Sequence, residues 1–315
     1  MGLKAPVAFF IFNRPHLTAQ VFAVIRQVAP KKLFIVADGP RHAEEAVRCE
    51  QTRSLVAHID WDCQVERNYA ERNLGCRQRV ASGLDWVFAQ TDRAIVLEDD
   101  CLPNHSFFRF CDELLERYQD HERVMAITGN NHQRGREVTP YSYYFSKYFH
   151  CWGWASWRRA WQYYDVTMKL WPEFRDGGYV EFISDSKYET RYWLQKFEQM
   201  YRGQIDTWDY AFMFACFSQS GLVATPRVNL VTNIGFGAEA THTHNPHSPL
   251  ANMPTQELGE ITHPPFIARN LAADQFVFDQ VFDGAKLRQQ DTLWGQLQHL
   301  KYRLGRFLKN RRQTP

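Results

Sequence analysis

The sequence predicts an α/β protein built on a mainly parallel sheet flanked by helices, and three observations carry that prediction. Short apolar runs alternate with segments whose apolar residues recur every three or four positions. The runs are continuous rather than alternating, as in strands buried on both faces. Three of them stop at polar loops: residues 7–12 at Asn13-Arg14-Pro15, residues 33–37 at Asp38-Gly39-Pro40, and residues 94–97 at Glu98-Asp99-Asp100. Right-handed crossovers between parallel strands put those stops on one sheet edge, the carboxyl edge where α/β proteins bind ligands.

In chain order, Leu17, Val21, Val24, Ile25 and Val28 predict a helix over 17–28. A second helix is expected over 42–58 and a short third strand over 63–68. Asn73-Leu74-Gly75 makes a turn into a helix over 77–89, just before the acidic strand. A helix over 107–118 and a strand over 124–128 follow. Residues 141–164 are crowded with aromatics, Cys151-Trp152-Gly153-Trp154 among them. These form either a packed aromatic core or a wall for the flat, apolar face of a sugar. Gly153 between two tryptophans points to close backbone approach, to a ligand or to another strand.

One helix is expected over 179–202 and another ending at Phe217, with Asp206 or Thr207 as its cap. Asp209 falls in its first turn, where the helix dipole favours a carboxylate. An extended stretch over 222–230 leads through Gly235 and Gly237 to Thr241-His242-Thr243-His244, directed back to the sheet edge. Residues 246–266 hold five prolines and read as a long surface loop. Leu293, Leu297, Leu300, Leu304 and Leu308 share a helical face interleaved with lysine and arginine. Such a basic amphipathic helix either contacts an anionic membrane surface or a partner, or packs on its own domain.

An apolar content of 44% with 23% charged residues is that of a soluble globular protein. The basic residues cluster only in the tail, which excludes a nucleic-acid binder. Seven cysteines, an odd number without a Cys-x-x-Cys pair, resemble neither a disulfide framework nor a zinc site. With no signal-peptide pattern and no apolar run of membrane-spanning length, a cytoplasmic location is expected.

The chemistry concentrates at Glu98-Asp99-Asp100. Three adjacent carboxylates repel one another, and a strand tip holds them at a cost unless something positive sits there. A divalent cation bound through oxygens relieves that cost, and Mg²⁺ or Mn²⁺ held by one or two carboxylates keeps room for phosphate oxygens. The alternative is a solvated acidic turn before a helix.

Taken in order, Phe12-Asn13-Arg14, Val36-Ala37-Asp38, Val96-Leu97-Glu98-Asp99-Asp100, Gly153-Trp154 and Trp208-Asp209 resemble the motifs of N-acetylglucosaminyltransferase I and its bacterial relatives. Those are glycosyltransferases of the GT-A fold, and the similarity runs from about residue 6 to 245. The resemblance implies a Rossmann-like domain over 1–245, with 1–130 binding a nucleotide-diphosphate sugar, UDP-sugar favoured, and 131–245 binding a saccharide or lipid-linked acceptor. The segment 246–266 is then a loop and 267–315 a helical tail. It implies Asp100 as the ligand of Mn²⁺ or Mg²⁺, with His242 reaching the metal or pyrophosphate. It places Glu98 and Asp99 near ribose and donor sugar, Asp38 and Arg14 near base or ribose, and Asn73 and Arg77 near the phosphates. Trp152, Gly153 and Trp154 would wall the acceptor or sugar. The family's Trp-Asp-Asp segment supplies its catalytic base; here Tyr210 replaces the second acid, leaving Asp209, with Asp206 as fallback.

Two rivals remain. A nucleotidyltransferase making the activated sugar would carry a glycine-rich loop after the first strand, where this chain has Phe12-Asn13-Arg14-Pro15. A non-catalytic carbohydrate-binding protein of the same fold would not need an intact acidic triplet.

Overall fold

The computed structural model describes residues 2–237, 240 and 243–292. His242 and the basic amphipathic segment over 293–315 lie outside the described residues.

The first half of the chain winds β1 (Val7–Ile11), α1 (Pro15–Val28), β2 (Lys32–Ala37), α2 (Ala43–Leu55), β3 (Gln64–Tyr69), α3 (Gly75–Gln90) and β4 (Arg93–Glu98). All four strands are mutually parallel, in the spatial order β3-β2-β1-β4. The continuous apolar runs are the cause: both faces of β1, β2 and β4 are covered. Val7, Phe9 and Ile11 pack with Val21 and Ile25 of α1 on one face. Ala8 and Phe10 pack with Val80, Leu84 and Val87 of α3 on the other.

The sheet continues beyond what periodicity predicted. After β5 (Cys101–Pro103), α4 (His105–Arg117) and β6 (Val124–Thr128), the aromatic stretch yields β7 (Tyr143–Ser146) and β8 (Trp154–Trp157). Then come α5 (Arg158–Trp161), α6 (Trp171–Asp176), α7 (Tyr179–Ile183), α8 (Lys187–Tyr201), α9 (Asp209–Ser218), β9 (Leu222–Pro226) and β10 (Val231–Asn233). The eight-stranded sheet runs β3-β2-β1-β4-β8-β6-β9-β7, with only β8 and β7 antiparallel to their neighbours. The fold is therefore the expected α/β class. The short strands inside 141–157 were unreadable because both of their faces are aromatic, which hides the period of two.

Two local expectations are corrected. The helix predicted over 179–202 is two helices: Ser186 caps α8 by accepting from the Glu189 N–H at 3.3 Å, which breaks the run. The start of α9 has no side-chain cap, so neither Asp206 nor Thr207 plays that part. The proline-rich stretch has no regular structure, yet it is tied down. Leu258 N donates to Ser106 Oγ at 2.8 Å, Asn104 Nδ2 to the Gln256 carbonyl at 2.8 Å, and Thr262 N to Ser142 Oγ at 2.9 Å. Beyond it, α10 (Leu271–Val281) sends Val277 and Phe278 into the core shared with α8 and α9. The buried Asp274 accepts from Ser146 Oγ at 2.5 Å. A short α11 (Gly284–Gln290) follows. Among the described residues no helix is long and apolar enough to cross a membrane.

The choice left open at Gly153 is settled by packing. Its φ is +68°, and a Cβ there would stand 2.7 Å from Val231 Cγ2 on β10. The close approach is to another strand. Gly153→Ala is expected to cost about 2–4 kcal/mol, combining left-handed strain with overpacking. Gly135, at φ +82° in open space, should lose only about 1 kcal/mol on the same change. Denaturant unfolding of both variants checks this; equal losses would refute the packing argument.

Candidate functional site

The carboxyl edge of the parallel strands gathers the charged stops. Asp38 follows β2, Arg14 precedes α1, and Glu98 ends β4 before the turn at Asp99-Asp100. That turn is locked by a ribbon. β5 pairs antiparallel with β10, Cys101 opposite Asn233, and Ile234 N donates to the Asp100 carbonyl at 2.9 Å. Gly235 then lies so close against the Asp100 carboxylate that any side chain there would collide with it.

Two cavities meet at this edge and share Arg14, Cys76 and Glu98 as walls. The first, about 690 Å³, is lined by Asp38, Asn73 and Asp99, by Arg41, Arg48 and Arg79, and by His244. The second, about 510 Å³, is lined by Asp100, Trp152, Lys196, Thr207 and Asp209. Asp100 and Asp209 thus face one space, and Asp206 lines the other.

Each carboxylate is held differently. Asp38 is nearly buried and accepts four hydrogen bonds, from the N–H groups of Gly39 (2.8 Å), Leu74 (2.9 Å) and Gly75 (3.1 Å) and from Asn73 Nδ2 (3.0 Å). Its acceptor sites are used up. Asp38 fastens the start of α3 to the end of β2, and it lines the larger cavity with its oxygens already bonded within the chain. Burial raises its pKa, and the three backbone donors oppose that.

Asp99 and Asp100 are bridged by Arg14. Nη1 donates to Asp100 Oδ2 at 2.9 Å and Nη2 to Asp99 Oδ1, while Phe12 N adds a contact to Asp99 at 3.4 Å. The positive group at the strand tip is thus supplied from within the chain. Burial disfavours the guanidinium charge, but the two carboxylates outweigh it and keep Arg14 cationic. Glu98 has no such partner. Burial, with Asp100 and Asp99 next, drives its pKa upward. Asp209 accepts from Thr207 Oγ1 at 2.5 Å, with Cys151 Sγ 3.9 Å from its other oxygen. Burial, followed by the Asp209 charge, pushes the Tyr210 phenol up to about 12, so the residue in the second-acid position stays neutral.

Three other expected residues are elsewhere. Arg77 turns away and donates to the Val166 carbonyl. On α3 the sheet-facing stripe runs Cys76, Arg79, Val80, Gly83, Leu84, so Arg79, not Arg77, meets the cavity. Trp154 is fully buried, its ring stacked on Trp208 at 5.4 Å between centroids. It belongs to the core, and Gly153 packs on Val231; of the three proposed wall residues only Trp152 lines a cavity. The sequence reading missed Arg41, Arg48, Arg79 and Lys196. Helical phase on α3 would have found Arg79, and a search for cations just after the Asp38 stop would have found Arg41.

Asp100 lines a cavity with the oxygen donors a hard divalent cation prefers, but Arg14 already occupies its Oδ2. Among the described residues, no three His, Cys, Asp or Glu side chains converge as a ligand cluster. Protein ligation would therefore be sparse, as is usual where Mg²⁺ shares a site with phosphate.

No protein-family model matches the chain, and no curated protein matches it. Among solved structures it is similar to a UDP-glucose pyrophosphorylase complexed with UDP-glucose, at 7% identity and a TM-score of 0.33, over 70% of this chain and 89% of that one. A likeness that loose carries no argument about activity.

The buried Glu45 of α2 holds the cavity's outer wall, accepting from Asn13 Nδ2 at 2.6 Å and from Arg41 N at 2.8 Å. Its hydrogen bonds with Arg41 lower its pKa to about 2. A depressed acid adds stability above its unfolded pKa and loses it as pH falls through the folded one. Glu45→Gln should therefore cost about 1–2 kcal/mol at pH 7, the exposed Arg41 partner limiting the loss, and almost nothing at pH 2. Urea unfolding at both pH values tests this; a pH-independent loss would rule it out.

Proposed function

We propose that the protein is a glycosyltransferase moving a sugar from a nucleotide-diphosphate donor, a UDP-sugar favoured, to a hydroxyl of a saccharide or lipid-linked acceptor. The observation that carries the reading is that Asp100 and Asp209, from the third and the last of the five recognised motifs, line one cavity beside a larger one that several arginines line. The larger cavity is the donor's: Arg41, Arg48 and Arg79 face the anionic nucleotide there, beside the carboxyl groups of Asp38, Glu98, Asp99 and Asp206 that line it too. The smaller takes the transferred sugar and the acceptor, with Trp152 as an apolar wall.

Sugar transfer needs an acceptor hydroxyl deprotonated as it attacks, and Asp209 is placed for that as general base. Thr207 Oγ1 fixes one of its oxygens, and the other has Cys151 Sγ at 3.9 Å. Glu98, at the junction of the two cavities, stands where an oxocarbenium-like centre would develop. A divalent ion held by Asp100, when bound, offsets the charge of the leaving diphosphate. With one base opposite the leaving group, displacement is direct and the anomeric configuration inverts.

Asp209→Asn is expected to lower transfer at least 100-fold, the lower range for loss of a general base, while leaving UDP affinity within about twofold. Asp100→Ala should abolish the Mn²⁺-dependent part of UDP binding. Calorimetry with UDP, with and without Mn²⁺, and turnover on a donor panel measure both. Undiminished turnover in Asp209→Asn would remove Asp209 from the chemistry.

A further inference from the structure

We infer that Arg14 and a divalent cation are alternative occupants of the acidic strand tip, so that metal loading on Asp100 releases the guanidinium to grip the donor's diphosphate. The inference rests on the nucleotide-sugar reading above and goes beyond it by making Arg14 a moving counter-ion. It is argued from how the tip is built.

Both carboxylates are largely shielded from water, with side-chain exposures of 4% for Asp99 and 13% for Asp100. The pair needs a compensating charge close by, which one cation beside both can supply. Arg14 serves both at once, one terminal nitrogen to each. The oxygen it holds on Asp100 is one of only two, and the other lies 3.4 Å from Cys101 Sγ inside the turn. Gly235 lies against the same oxygen that Arg14 holds, without a side chain to cover it. A cation that binds Asp100 through this oxygen takes the one that Arg14 Nη1 now holds, and two positive groups crowding one carboxylate repel each other.

The guanidinium has somewhere to go. Arg14 lines both cavities, while its backbone is pinned: its carbonyl accepts from Leu17 N at 3.2 Å, Thr18 N at 3.0 Å and Thr18 Oγ1 at 3.0 Å. Only the side chain needs to turn, from the acidic tip towards the arginine-lined cavity. Its planar fork matches phosphate oxygens as well as it matches carboxylates. Metal and nucleotide binding then assist each other through a residue that touches each in turn. Arg14 is in this sense a positioning residue.

The test is Mn²⁺ binding itself, by calorimetry and by the electron paramagnetic resonance of free Mn²⁺, on the full chain with and without UDP. Arg14→Met should bind Mn²⁺ about tenfold more tightly than wild type without nucleotide, and UDP should improve that affinity far less than in wild type. Arg14→Lys, whose ammonium cannot fork across two carboxylates, should fall between and covers the case in which Arg14→Met does not fold. Equal or weaker Mn²⁺ affinity in these variants, with UDP and Mn²⁺ still coupled in wild type, would overturn the exchange and leave the transferase reading intact. No Mn²⁺ binding by any of the proteins, with or without UDP, would overturn both.

Discussion

Negative charge held at the buried end of a strand is the constraint around which this molecule is arranged. The carboxyl edge carries Asp38, Glu98, Asp99 and Asp100 within a few strands of one another, largely withdrawn from solvent. The fold answers each charge with a different partner. The amide groups at the start of α3 take Asp38, and Arg14 takes Asp99 and Asp100 together. Glu98 is answered by burial, which favours its protonated form. A carboxyl perturbed in this way beside a cavity marks a candidate functional site.

Strand direction explains how distant stretches reach the same place. The four leading strands deliver their carboxyl ends to one edge. Because β8 runs against β4, its beginning lies at that edge too, which brings in Cys151 and Trp152. Helix α9 leads into β9, which is parallel to β6, so its first turn and Asp209 also stand at that edge. The reversal at β8 is therefore the step that brings Cys151 and Trp152 to the edge of the parallel strands.

Much of this was legible in the chain. The buried strands announced themselves as unbroken apolar runs, and the alternation with helices placed Arg14, Asp38 and the acidic triplet on one edge. Recognition of motif order brought in Asp209. Other features depend on information a linear reading lacks. Trp154 and Trp152 are one residue from being neighbours and look alike in sequence. One is buried against Trp208 and the other faces a cavity, because Trp154 opens β8 while Trp152 precedes it, on the far side of Gly153 with its φ of +68°. That the Asp38 oxygens are bonded to the turn at Asn73-Leu74-Gly75 is visible only in the structure. Arg77 and Arg79 differ only in helical phase, and the phase was readable.

The pairing of β5 with β10 joins a strand near the acidic turn to one that arrives only after β9 has been laid down. The turn that shapes Asp100 thus waits for a partner from far along the chain, and so does the glycine that presses on it. Contacts of such long sequence separation are slow to form. During synthesis the leading parallel strands can close well before the ribbon does, so the emerging chain passes through a stage with a finished scaffold and an unformed acidic turn.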